Sequence, residues 1–145
     1  MIKIYLDNSV LNRPFDDQSI PKIRLETIAL FYILELIEKK KVKLVNSSVI
    51  EYENSKNPFI ERKFWIERIL SKATIYQKIT PEIKKLAKEI EKQKISPLDS
   101  LHLASAIASK VDYFITCDYF LIKRYKNKLK VINPIDFIRI FSKPI

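Results

Sequence analysis

The sequence predicts an α/β protein with three layers, in which helices cover both faces of a central, mostly parallel five-stranded sheet. Two observations point there. Short runs rich in β-branched residues alternate with longer stretches of helical periodicity along the whole chain. The helices between them are opened by repeated Ser/Thr-Pro and Asn-Pro signals, which suits strands joined by crossover helices. No repeat, linker or low-complexity segment divides the 145 residues, so one domain, residues 1–145, is expected.

Ile2–Leu6 reads as the first strand, ended by the turn-favouring Asp7-Asn8-Ser9. A long helix runs from Ile23 to about Lys40. Its apolar stripe includes Leu25, Ile28, Ala29, Tyr32, Ile33, Leu36 and Ile37, and the basic Lys39–Lys41 suits the negative end of its dipole. Val42–Val45 is the second strand. Asn46, Ser47 and Ser48 offer caps for a short helix through Glu53. Asn57-Pro58 breaks the chain before a helix from Pro58 to about Lys72, and Ala73–Ile79 reads as a strand. Thr80-Pro81-Glu82 opens a helix that buries Ile83, Leu86, Ala87 and Ile90. Ser96-Pro97-Leu98-Asp99 opens the next, which reaches about Ser109. Asp112–Thr116 is a strand, followed by a short helix near Tyr119–Tyr125. Leu129–Ile132 is the last strand, and Asn133-Pro134 starts a terminal helix over Ile135–Phe141.

Composition narrows the function. Glycine is absent, which excludes Gly-rich phosphate loops. Lys and Arg number 27 against 17 acids, a net charge of +10, which favours a polyanionic partner through counterion release. The single Cys117 cannot form an internal disulfide, and the start of the chain, MIKIYLDNSV, turns polar too soon for a signal peptide. The apolar stretch Ile28–Ile37 is short and interrupted by Glu35, so no membrane span is expected. These features read as a cytoplasmic protein.

In a parallel sheet, ligands bind beyond the carboxyl ends of the strands. Asp7 follows the first strand, Glu51 and Glu53 lie in the helix after the second, and Asp118 follows the strand Asp112–Thr116. Asp99 opens a helix that runs back antiparallel to the sheet, which brings it to the same edge. Such a cluster repels itself when empty and becomes favourable around a hard divalent ion, Mg²⁺ or Mn²⁺. The ion acidifies a water for attack on phosphorus. Taken singly, each acid has an ordinary reading: Asp7 ends a strand, Asp99 serves a helix dipole, Asp118 caps a turn, and Glu53 is a surface acid.

The chain resembles the PIN domain family over nearly its full length. YLDNSVLNR is similar to the family's first strand and acid, and NSSVIEYE to the segment that ends in the second. DSLHLASA, opening at Asp99, resembles the third acidic motif, YFITCD the fourth, and VINPIDFI the closing strand and helix. The resemblance implies metal-dependent ribonuclease activity, as in small VapC-like members that are toxins of toxin–antitoxin pairs. It implies catalytic roles for Asp7, Glu53, Asp99 and Asp118, with Asp7, Asp99 and Asp118 on the metal. Glu51 remains the alternative second acid. The two glutamates point about 200° apart on a helix, so one of them alone suits the metal, and the distance from Ser47 favours Glu53.

Ser9 and Thr116 are expected to support the acids. Ser9 departs from the family pattern, which often has a hydroxyl and then Asn after the first acid. His102 reads as a packed helix histidine in preference to a site residue, and Cys117 not as a nucleophile. Arg13, Lys56, Lys123, Arg124 and Lys126 are candidate phosphate contacts, with Tyr119 and Phe120 as stacking surfaces for unpaired bases. The segment Arg13–Gln18 reads as surface. The apolar helix Pro58–Lys72, with Phe59, Ile60, Phe64, Trp65, Ile66, Ile69 and Leu70, suggests a homodimer or an inhibitor protein as partner. The competing function is a non-catalytic PIN-like RNA- or protein-binding module. A phosphatase built on an Asp nucleophile wants a second Asp two residues on, where Ser9 stands.

Overall fold

Ile4, Tyr5 and Leu6 of β1 (Lys3–Leu6) are all fully buried, which requires cover on both faces of the strand. The computed structural model describes residues 1–142. Residues 143–145, the end of the expected domain, lie outside the described residues. β1 is the middle of a five-stranded, all-parallel sheet in the order β3-β2-β1-β4-β5, where β2 is Lys43–Ser47, β3 Ile75–Gln77, β4 Tyr113–Ile115 and β5 Lys130–Ile132. The fold is the expected α/β class, a parallel sheet flanked by helices.

The chain moves outward from β1 to β2 and β3. It then crosses back to lay β4 against the other side of β1, in the register Tyr5 to Phe114 and Leu6 to Ile115. The direction of winding therefore reverses between β1 and β4. At their carboxyl ends this reversal opens a crevice, because the connections leave on opposite sides of the sheet.

The helices follow from local chemistry. Pro21 stands in the first turn of α2 (Pro21–Glu38), Pro81 in that of α5 (Pro81–Glu91) and Pro97 in that of α6 (Pro97–Ala108), where no backbone donor is lost. Thr80 Oγ1 accepts from Ile83 N at 3.2 Å, and Ser96 Oγ from Asp99 N at 3.2 Å, satisfying orphan amides at the starts of α5 and α6. With no glycine available, Lys40, Lys94 and Lys110 take the left-handed conformation just past α2, α5 and α6. α2 packs on α8 (Pro134–Phe141), and α5 packs on α6. Leu30 and Ile33 of α2, Ile66 of α4 (Ile60–Leu70), Phe114 of β4 and Phe137 of α8 are fully buried. Each such side chain contributes about 1.5–3 kcal/mol of burial.

Two local readings differ from the structure. Asp7-Asn8-Ser9 is not a bare turn but leads into a one-turn helix, α1 (Asn8–Leu11), followed by a 3₁₀ turn, Arg13–Phe15. Val10 and Leu11 are fully buried, and both their amides bond the Asp7 carbonyl, so core packing wins over turn propensity. The helix expected from Pro58 starts at Ile60, because the Asn57 side chain accepts from Phe59 N at 3.0 Å and holds that stretch extended. Among the described residues, no helix is long and apolar enough to cross a membrane.

Candidate metal centre

The crevice between β1 and β4 is lined by the residues that end those strands. The amide of Asp7 continues the ladder to Ile115 O at 3.0 Å, which turns its buried side chain to the carboxyl edge. Asp7 Oδ2 accepts from Thr116 Oγ1 at 2.8 Å and from Ser9 Oγ at 3.1 Å. Ser9 Oγ in turn accepts from Cys117 N at 3.0 Å, and Thr116 Oγ1 accepts from Asp118 N at 3.0 Å. Two hydroxyls thus tie the end of β4 to the end of β1. Both fall on Oδ2, leaving Asp7 Oδ1 without a side-chain donor among the described residues.

Glu53 enters from α3 (Ser48–Ser55), the helix after β2. Its Oε1 lies 2.6 Å from His102 Nε2, and a carboxylate oxygen of Asp7, one of Glu53 and a ring nitrogen of His102 lie within 4.8 Å of one another. Asp99 and His102 stand three residues apart on α6, which places them on one face of the helix. Burial raises the pKa of Asp7. The Glu53 charge adds to this, while His102 and the Thr116 and Ser9 hydrogen bonds oppose it. Burial also raises Asp99, and the charges of Asp7 and then Asp118 push the same way, against Ser96 and His102. Asp99 therefore senses both Asp7 and Asp118, a repulsion that a cation would relieve, while the set that lies within 4.8 Å is Asp7, Glu53 and His102 and contains neither Asp99 nor Asp118. A buried Asp7 with the partly buried Glu53 beside it is an oxygen-rich pair that fits a hard divalent ion.

The other expected residues fall differently. Glu51 turns to the β3 side, accepting from Tyr76 OH at 2.7 Å and Asn46 Nδ2 at 3.2 Å, so Glu53 and not Glu51 joins the cluster. Asp118 caps α7 (Tyr119–Arg124), its Oδ1 accepting from Phe120 N at 3.0 Å and Leu121 N at 3.2 Å, and it stands outside the close cluster. Arg13 is committed inward: its guanidinium reaches the fully buried Glu26 at 2.8 Å and Asp16 at 3.1 Å. Glu26 is bonded by Asn133 as well, so the pair sits in a network joining the 3₁₀ turn, α2 and α8. Lys56 lies 5.3 Å over the exposed Tyr52. Lys123 lies 5.9 Å over Tyr119, and the Arg124 guanidinium 5.8 Å over Phe120, with both rings exposed. Burial pushes the Cys117 thiol up to about 12, so its thiolate is suppressed.

Three features escaped the sequence reading. Lys22, at the start of α2, lies 5.7 Å over the Tyr119 ring, and no nearby motif marked it. Tyr5 sits in the middle of a buried strand, yet its hydroxyl bonds both Ser47 and His102. His102 is indeed packed, being fully buried, but it also meets Glu53. Its three-residue spacing from Asp99 was the available signal.

The architecture is that of a parallel α/β protein with a cluster of acids and a histidine at its topological switch point. The chain belongs to the PIN domain family, whose profile matches residues 4–128. No curated protein sequence matches it. Among solved structures it is similar to VapBC2 from Rickettsia felis bound to a DNA fragment from their promoter, with a TM-score of 0.63 and 20% identity over 91% of this chain and 98% of that one. It is also similar to PAE2754 from Pyrobaculum aerophilum, with a TM-score of 0.60 and 13% identity over 98% of this chain and 91% of that one. At these identities the likeness concerns the fold.

Proposed function

We propose that this chain is a divalent-metal-dependent endoribonuclease. The observation that carries this reading is the meeting of Asp7 and Glu53 within 4.8 Å, beside Asp99 and Asp118, at the switch point of the sheet. Asp7, Asp99 and Asp118 hold Mg²⁺ or Mn²⁺, and Glu53 completes the acidic rim. When bound, the ion supplies Lewis acidity and lowers the pKa of a water that attacks phosphorus. Ser9 and Thr116 hold Asp7 by donating to Oδ2, which leaves Oδ1 without a side-chain donor among the described residues. A non-catalytic binding module gives no reason for placing acids that repel one another around a buried Asp7, which costs stability unless a cation is used.

The surface beside Asp118 supports RNA as the substrate. Tyr119 and Phe120 are exposed, with Lys22, Lys123 and Arg124 placed over their rings. Exposed rings stack on unpaired bases, and the cations answer the phosphates. Lys56 over Tyr52 offers a second pair of the same kind at the end of α3. The net charge of +10 makes the affinity fall as salt rises. Incubation with single-stranded RNA and Mg²⁺ or Mn²⁺ is expected to leave 5′-phosphate and 3′-hydroxyl ends and to stop on chelation. Cleavage that persists in EDTA, or products ending in a 2′,3′-cyclic phosphate, would overturn the mechanism.

The reading extends to a toxin working inside the cell with a protein partner. VapBC2, a fold neighbour, was solved with promoter DNA, which motivates a DNA-binding antitoxin here, alongside a homodimer. On α4, Ile66, Ile69 and Leu70 are buried and Trp65 packs against Phe15 and Phe31, while Ile60 and Phe64, and Phe59 just before the helix, stay exposed. Leu25, Ile28, Phe31 and Tyr32 of α2 are exposed as well, so apolar surface remains for another chain. Light scattering, with and without the protein encoded by the neighbouring reading frame, is expected to show a dimer or a complex. A strict monomer at high concentration that also ignores that protein would rule out the partner.

A further inference from the structure

Glu53 is the least enclosed member of the three-residue cluster, with a side chain still 34% exposed near the end of α3. A glutamate in that position has several rotamers, and something must aim it at Asp7. Behind it runs a single file of buried polar groups. His102 Nε2 lies 2.6 Å from Glu53 Oε1, and His102 Nδ1 lies 2.7 Å from the Tyr5 hydroxyl. That hydroxyl lies 2.8 Å from Ser47 Oγ, and Ser47 Oγ accepts from Ile50 N at 3.1 Å. Tyr5, Ser47 and His102 are fully buried, so no bulk solvent can repair a mismatch.

Counting hydrogens gives the file a direction. The Ile50 amide can only donate, so it occupies a lone pair of Ser47 Oγ. The Ser47 hydrogen then needs an acceptor, and the Tyr5 oxygen is the one within reach among the described residues. Tyr5, kept protonated by its burial, passes its own hydrogen to His102 Nδ1. An Nδ1 that accepts places the ring hydrogen on Nε2, which donates to Glu53. Reversing the file strands the Ser47 hydrogen in the interior without a partner.

We infer that His102 is a positioning residue, which holds the Glu53 carboxylate towards Asp7 through an Nε2–H donor whose tautomer is set by Tyr5 and Ser47. It does not itself ligate the ion, since a protonated Nε2 has no lone pair to offer. The inference rests on the reading of the acidic cluster as a metal site. Ser47 also caps the start of α3, so one hydroxyl anchors both the start of that helix and, through the file, the acid near its end.

His102 is the only histidine in the chain, so its ring nitrogens can be read without assignment variants. Long-range ¹H–¹⁵N correlation spectra of the metal-free protein are expected to show the Nε2–H tautomer, and Tyr5→Phe is expected to mix the two forms. An Nδ1–H tautomer in the unaltered protein overturns the file. Mn²⁺ binding by calorimetry gives the second readout. His102→Leu is expected to weaken uptake by about 10–100-fold, the scale on which hydrogen-bonded partners around a metal's ligands act, because the rim charge of Glu53 is no longer held towards Asp7. His102→Gln keeps an N–H donor at similar reach and is expected to recover most of the affinity. If His102→Leu does not fold, His102→Gln and Tyr5→Phe carry the comparison. Affinity unchanged in His102→Leu overturns the positioning role alone. Affinity as weak in His102→Gln as in a folded His102→Leu marks the imidazole as a ligand and also overturns it. A wild-type chain that takes up no Mn²⁺ removes the proposed function, and the positioning role with it.

Discussion

Asp7→Asn or Asp99→Asn is expected to lower metal-dependent RNA cleavage by about 10³-fold or more, since the metal's stabilisation of the reaction is worth several kcal/mol. The same variants are expected to leave the metal-free protein at least as stable as the parent. The sign follows from the direction of the shifts. Burial, joined for Asp99 by the charge of Asp7, raises both carboxyls above their ordinary range. Between the unfolded and folded pKa values the native state binds more protons than the unfolded one. Stability therefore falls as pH rises through that window, and it stays reduced above it. Asparagine removes this loss and keeps an acceptor for Thr116 and Ser9 at position 7. Thermal melts at pH 7 and at pH 3 test it. The gain over the parent should be present at pH 7 and vanish at pH 3. Variants that are inactive only because they are unfolded would sink the catalytic assignment.

Mn²⁺ at about one hundred times its Kd is expected to stabilise the chain by about 2.7 kcal/mol, roughly 5–10 °C in Tm for a domain of this size. On the proposed reading the metal binds the folded cluster, and the unfolded chain does not gather its acids. Chelation should return the melt to its starting point. Protons compete for the same oxygens, so the metal shift should fade as pH falls. Because Asp7 and Asp99 are raised, the fading should begin above the ordinary carboxylate range. Scanning calorimetry at matched ionic strength separates this from screening of the net charge. A shift of equal size in an Asp7→Asn/Asp99→Asn double variant would place the ion elsewhere.

Particular residues show where sequence reasoning stopped. Ser96-Pro97-Leu98-Asp99 announced both a helix start and an acid at the carboxyl edge, because capping and dipole effects act within one turn. Arg13 looked like a free cation, since nothing in its neighbourhood revealed that Glu26 on α2 would be buried against it. Asp7-Asn8-Ser9 looked like a turn, because turn propensity is local while the burial of Val10 and Leu11 is not. His102 read as packing in preference to a site residue, since its partners Tyr5 and Glu53 lie on other elements.

By itself the sequence determined the kinds and order of the elements apart from the short helical turns after Asp7, the capped starts of α3, α5, α6 and α8, and the acids at the strand ends. These depend on the period of apolar residues and on side chains that bond their own backbone. It also separated Glu51 from Glu53 as alternatives, through the angle between neighbouring positions on a helix. Tertiary structure alone decided the strand order β3-β2-β1-β4-β5 and hence the crevice between β1 and β4. It alone turned Glu51 to Tyr76 and Glu53 to His102, and aligned Ser47, Tyr5 and His102 behind the second acid. The reason is physical. Each of these pairings joins residues far apart in the chain. Its geometry is set by how sheet and helices pack to bury their apolar faces, which no local pattern encodes.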